Sequence, residues 1–153
     1  MKRKKSREMT MQLLFEMIIK KENYMEIINT LKEASEDEED INGILGEKKE
    51  IDKERIDLDE VDLEYLIHTL KGVQENIEVL DEHIEKYLKN WTLNRLAKVD
   101  LAILRLCSYE ILFSNEVPNN VAINEAVELA KKYGDDKSPA FINAILDKIA
   151  KQI

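Results

Sequence analysis

An all-α fold of six or seven helices is what this sequence predicts, on three observations. Gly and Pro number only 4 and 2 among 153 residues, too few for the regular turns of a β-sandwich. Leu, Ile, Glu and Lys dominate, and these residues favour helix. Apolar residues recur every three or four positions over long stretches, with no segment of strand-like alternation. The length suits one compact domain, or at most two small halves sharing a core.

Each element follows in chain order. Met9, Leu13 and Met17 trace one face of a first helix from about Lys5 to Lys21, and Leu14, Phe15 and Ile18 widen it. Met25, Ile28 and Leu31 give a second helical stretch over 24–34. Residues 35–58 are acid-rich, contain Gly43 and Gly46, and carry only scattered apolar residues. They read as a long loop or insertion, dispensable for folding. Asp59 is placed to cap the next helix, with Asp62 in its first turn. Val61, Tyr65, Leu66, Leu70, Val73, Ile77, Leu80, Ile84 and Leu88 then recur through Gly72, which marks a bend or a close helix contact. Trp91, Leu93 and Leu96 belong to a short connecting element. Val99 to Phe113 is apolar on nearly every side, the pattern of a central buried helix. After Pro118, Asn119 or Asn120 caps a helix to about Tyr133, with Ala122, Ile123, Ala126, Val127 and Ala130 inward. Gly134 suits the left-handed position that ends a helix. Ser138 and Pro139 open the last helix as cap and first residue, whose Ile142, Ile145, Leu146 and Ile149 face the core.

The net charge of −9 divides unevenly. Residues 1–7 carry +5, from Lys2, Arg3, Lys4, Lys5 and Arg7, while residues 33–64 carry −11. The acidic total is therefore local, and a basic arm leading into a structured helix is suited to a polyphosphate ligand. The single Cys107 excludes an intramolecular disulfide, disfavours a Cys-based zinc site and fits a reducing compartment. No apolar run reaches 18 residues, and Lys20 and Lys21 follow the first apolar stretch where a signal peptide needs a small-residue cleavage site. A cytoplasmic protein without membrane attachment is expected. His68 and His83 lie 15 residues apart on one predicted helix, roughly 22 Å, too far to share a metal. No catalytic constellation, metal site or cofactor loop stands out, so an enzyme is not expected. Phe141, near the start of the last helix, reads either as core or as a base-stacking aromatic.

Several segments resemble the NusB family of transcription antitermination factors. These are VDLAILRLCSYEIL at 99–112, VPNNVAINEAVELAKKYG at 117–134, SPAFINAILDKI at 138–149 and the W-x-L-x-R-L pattern of Trp91 to Leu96. Arg7-Glu8 followed by Gln12 to Phe15 is similar to the family's start. The resemblance covers about residues 1–22 and 59–149. Departures include Thr10 and Phe15 in the first helix, Lys137 where Asp is common, Ala140 where Lys often precedes the Phe, and Ala144 where Gly is usual.

The resemblance implies two small helical bundles within a single domain spanning 1–153. It implies binding of a single-stranded boxA-type RNA together with NusE, a small-subunit ribosomal protein. It also implies a place in the RNA polymerase antitermination complex at ribosomal RNA operons. By position, Lys2, Arg3, Lys4, Lys5 and Arg7 become the RNA arm, Phe141 a stacking residue, and Phe15 and Ile19 part of the NusE face. Two alternatives share the fold: the RNA-binding domain of a ribosomal RNA cytosine methyltransferase, and a helical module that binds protein alone.

Overall fold

The computed structural model describes residues 2–21, 25–29, 61–89, 92–114 and 116–152. Among them the chain forms α1 (Lys2–Lys20), α2 (Leu63–Glu75), α3 (Ile77–Lys86), α4 (Lys98–Phe113), α5 (Asn119–Tyr133) and α6 (Ser138–Lys151). A 3₁₀ turn at Leu93–Arg95 precedes α4, and residues 25–29 are helical. No strand occurs among the described residues, as the composition predicts. The acidic stretch 35–58, the Asp59 cap and Trp91 lie outside them. Two compact units divide the chain, Met1–Lys71 and Gly72–Ile153.

In the first unit α1 is buried on most of its circumference, through Met9, Met11, Leu13, Leu14 and Met17. Ile27, Ile28, Val61, Leu66 and Leu70 complete the apolar interior. Lys21 ends α1 in the left-handed region at φ 54°, the conformation that interrupts a helical ladder. Asp62, not a first-turn residue, caps α2: its Oδ1 accepts the Tyr65 N–H at 3.0 Å. The Asp62 N–H in turn donates to Ser6 Oγ at 2.6 Å, so α1 fixes where α2 starts.

In the second unit α4 is central. Residues 100–104 and 106–111 are all buried, as expected for a helix apolar on nearly every side. α3, α5 and α6 pack against it, and α5 packs on α6. Arg105, the main polar break in α4, makes a two-pronged ion pair with Asp81 of α3 at 2.8 and 2.9 Å. The single helix read across 61–88 is two helices, α2 and α3. The break falls at Asn76, whose φ of −113° and ψ of 18° leave the helical range while its Nδ2 folds back onto the Gly72 carbonyl at 2.8 Å. Gly72 is a close contact: a Cβ there would fall within the Tyr109 ring of α4.

Three further details depart from the sequence reading. α5 begins at Asn119 directly after Pro118, with no side-chain cap, and Val127 is only half-buried while Leu129 takes the inward position. Gly134 is extended, φ −92° and ψ −173°, rather than left-handed. Its lack of a side chain is needed for space, since a Cβ would lie 2.5 Å from Ser138 Oγ and 2.9 Å from the Ala130 carbonyl. α6 also starts one residue early, at Ser138, with Pro139 still in its first turn.

Candidate nucleic-acid interface

The five N-terminal cations do not form a loose arm. α1 already includes Lys2, and the helix sorts the remaining side chains by direction. Arg3 and Arg7, four residues apart, share a face. Both guanidinium groups lie over the Tyr65 ring, at 4.3 and 5.7 Å from its centroid. Arg3 also pairs with Asp62 at 3.6 Å. Arg7 is only 5% exposed, so its charge lies inside the unit, beside an aromatic face. Lys4 and Lys5 are exposed. The Lys2 side chain is outside what the structure describes. Charge composition alone gives the number of cations, and the i,i+4 spacing of Arg3 and Arg7 signals only that these two share a face. Tyr65, their partner, is by spacing only one of the apolar positions of its helix.

Phe15 and Ile19 lie on the least buried strip of α1. Phe15 is half-buried and Ile19 is 54% exposed, unusual for Ile on a helix otherwise so enclosed. Glu8 and Gln12, each part-exposed, continue the strip towards Lys4. One helix face thus runs from cation to apolar surface.

In the second unit Phe141 is half-buried in the first turn of α6, neither core nor fully free. The connection before it is closely tied. Asp135 Oδ1 accepts the N–H groups of Lys137 and Ser138 at 2.8 and 3.1 Å, doing the capping work expected of Ser138. Ser138 Oγ accepts the Asp135 N–H at 3.1 Å. Those donors hold the Asp135 carboxyl below its ordinary value of 3.8, the Lys137 N–H chief among them. Lys137 itself is exposed. Behind the connection Asp100, in the first turn of α4, is 7% exposed. Burial pushes its carboxyl above 3.8, the nearby Ser138 hydroxyl opposes the shift, and the Asp135 charge adds to it.

A pH prediction follows from Asp100. A carboxyl with a raised folded pKa binds its proton more tightly folded than unfolded. Its contribution to stability is present below 3.8 and is lost as pH rises through the folded value. Asp100→Asn cannot ionise and so removes that loss. The variant is expected to melt no lower than the parent at pH 7, and any advantage should vanish below about pH 4. Asp135 acts in the opposite sense, losing its contribution on acidification, but equally in both chains. Thermal melts of the pair from pH 3 to 8 check this. A difference that grows on acidification would contradict it.

No cluster of three or more metal-ligating side chains occurs among the described residues. Cys107 is buried and donates to the Ala122 carbonyl at 3.3 Å, a packing role. No described helix is long and apolar enough to cross a membrane.

The structure is therefore that of an all-helical binding protein, with an exposed cationic helix end, an apolar strip and a half-buried aromatic at a second helix start. The model of the NusB family matches residues 4–151, and the chain belongs to the NusB family. Among curated relatives, the transcription antitermination protein NusB of Clostridium tetani is 90% identical, over 100% of both chains. That of Clostridium botulinum strain Kyoto is 49% identical over 97% of this chain and 99% of its own. Among solved structures, T. maritima NusB superposes with a TM-score of 0.74 at 33% identity, covering 99% of this chain and 92% of that one. A crystal structure of antitermination factors NusB and NusE in complex with double-stranded RNA gives 0.71 at 26% identity, covering 99% and 97%.

Proposed function

We propose that this chain is a cytoplasmic, non-enzymatic transcription antitermination factor that binds boxA-type RNA together with NusE. It acts within the RNA polymerase antitermination complex and supports transcription of ribosomal RNA operons. The observation that carries the reading is the full-length likeness to antitermination proteins. The exposed Lys4 and Lys5, held on the first turns of a rigid helix, supply the chemistry. The methyltransferase alternative has no support in relatives that share the whole length of this chain under the antitermination name.

Lys4 and Lys5 neutralise phosphates, with Lys2 beside them in sequence. Arg3 and Arg7 act chiefly by anchoring α1 on Tyr65, and Arg3, the less buried of the two, retains access to a ligand. Phe15 and Ile19 offer NusE an apolar contact. Phe141 stacks on a base, and Lys137 stands near it where the family often carries an acid. The test is titration of a boxA-like single strand with and without NusE, against a scrambled strand. Equal affinity for both strands in the presence of NusE would sink the reading.

Phe141→Ala gives a second expected result. A fully buried Phe costs about 3–5 kcal/mol of stability when truncated to Ala. The half-buried position should cost less, while losing a stacked base costs about 1–3 kcal/mol of binding. Thermal melting and RNA titration on the same sample separate the two. A sharp fall in melting with RNA binding intact in the folded fraction would make Phe141 a core residue.

A further inference from the structure

We infer that Asp62 is a built-in competitor for RNA phosphate at Arg3, so that the first turn of α1 engages a phosphate chain only by displacing a carboxylate. The inference rests on the proposed RNA role of the α1 cations. All its parts lie within the first unit. Asp62 is fixed twice. Its N–H donates to Ser6 Oγ of α1 at 2.6 Å, and its Oδ1 accepts the Tyr65 N–H at 3.0 Å. Its other oxygen, Oδ2, lies 3.6 Å from Arg3 Nη2. Tyr65, whose N–H the same cap holds, carries the Arg3 guanidinium over its ring at 4.3 Å. Arg3 thus has an aromatic face on one side and a carboxylate beside it. Capping needs one acceptor oxygen, which Asn or Ser supplies as well as Asp. The negative charge is therefore not required by the cap, yet it stands next to a cation at the exposed end of α1.

The pair is loose. Arg105 and Asp81 form a two-pronged pair at 2.8 and 2.9 Å, with side chains 13% and 22% exposed. Arg3 and Asp62 stand 3.6 Å apart, beyond good hydrogen-bonding range, with side chains 37% and 36% exposed. An exposed pair of this kind holds by a factor of at most about five. A phosphodiester offers the guanidinium two oxygens in fork geometry and displaces the single distant carboxylate oxygen. The contact with Tyr65 needs no carboxylate, so Arg3 keeps its support through the exchange. The Asp62 charge then lies within a Debye length, about 8 Å, of the bound phosphate and repels it. Displacement and repulsion have the same sign. Asp62 lowers the part of the affinity that comes from phosphates and carries no base information.

The test uses the full chain with a boxA-like single strand and a scrambled one, titrated over a range of salt. Asp62→Asn and Asp62→Ser both keep a capping acceptor and lose the charge, and circular dichroism checks that each remains helical. Both are expected to bind both strands about 2- to 5-fold more tightly than the parent at low salt, a gain that shrinks as salt screens it. The log–log salt slope should steepen by up to about 0.7, because Arg3 then releases a counterion from the RNA without leaving a carboxylate to be neutralised. A purely structural role of Asp62 moves neither the slope nor the affinity in this direction. In an Arg3→Ala background the gain from Asp62→Asn should largely vanish, since the cation that the carboxylate holds is gone. Parent-like or weaker RNA binding by both helical variants overturns the inference, as does a gain that persists in full without Arg3. A gain confined to one of the two strands overturns it too. A parent chain that binds no RNA fails the functional reading itself, visible before any variant is compared, and the inference falls with it.

Discussion

Gly72→Ala is expected to destabilise the protein by about 1–3 kcal/mol, the cost of overpacking a filled interior. The sign is opposite to what helix propensity alone gives. Within a helix, Ala is better than Gly by up to about 1 kcal/mol, and Gly72 lies inside α2. The added methyl, however, would occupy the place of the Tyr109 ring, which is buried. The ring stacks on Phe113 with centroids 5.8 Å apart, so it cannot withdraw without disturbing a second aromatic. For a chain of this size each kcal/mol lowers the melting temperature by about 2–4 °C. A double-mutant cycle makes the cause explicit. With Tyr109→Ala already present, Gly72→Ala should become neutral or stabilising, since only propensity remains. A destabilisation that persists in that background would assign the glycine to something other than ring clearance.

Replacing Lys4 and Lys5 together by Ala should change how RNA binding depends on salt more than any other pair of substitutions. Each phosphate neutralised on a single strand contributes roughly −0.7 to the log–log slope, so the pair accounts for about −1.4. Between 50 and 200 mM salt the parent should therefore lose about sevenfold more affinity than the variant. Arg7→Ala is predicted to behave differently. Its guanidinium is buried over Tyr65, so the variant should melt lower while leaving the slope nearly unchanged. Salt titrations of the two variants side by side distinguish a helix end that binds phosphate from one that merely carries charge. Equal slopes for parent and Lys4/Lys5 variant would exclude these lysines as phosphate contacts.

What could be read from sequence follows from which physical signals are local. Fold class was legible because Gly and Pro scarcity and apolar periodicity are properties of composition and spacing. The central place of α4 was legible because a helix apolar all round has few other solutions. The α2–α3 break was not, because it lies in the backbone angles of the single residue Asn76, and the apolar period runs on through it. Gly134 was assigned to the right position for the wrong reason: its need is for room beside Ser138, a contact set by the turn's closure rather than by φ. For the candidate site, periodicity counted Phe15 with the apolar face and only the family resemblance set it with Ile19, whereas Phe15 is half-buried beside the exposed Ile19. The spacing of Arg3 and Arg7 shows that they share a face, but which way that face points was not legible, since their partner Tyr65 lies 58 residues beyond Arg7 in the sequence.

The open strip of α1 has a thermodynamic consequence. Lys4 and Ile19 stand 15 residues apart on one continuous helix, about 22 Å at 1.5 Å per residue. On the proposed reading, a protein held at Phe15 and Ile19 and a nucleic acid held at Lys4 and Lys5 share a stiff baseboard. A partner with its own basic surface facing that end would meet the strand without searching for it, at high effective concentration. Any gain is reciprocal: the factor by which the protein partner tightens RNA must equal the factor by which RNA tightens the protein partner. Assembly order then has no bearing on the final stability of the ternary complex, and either ligand can arrive first.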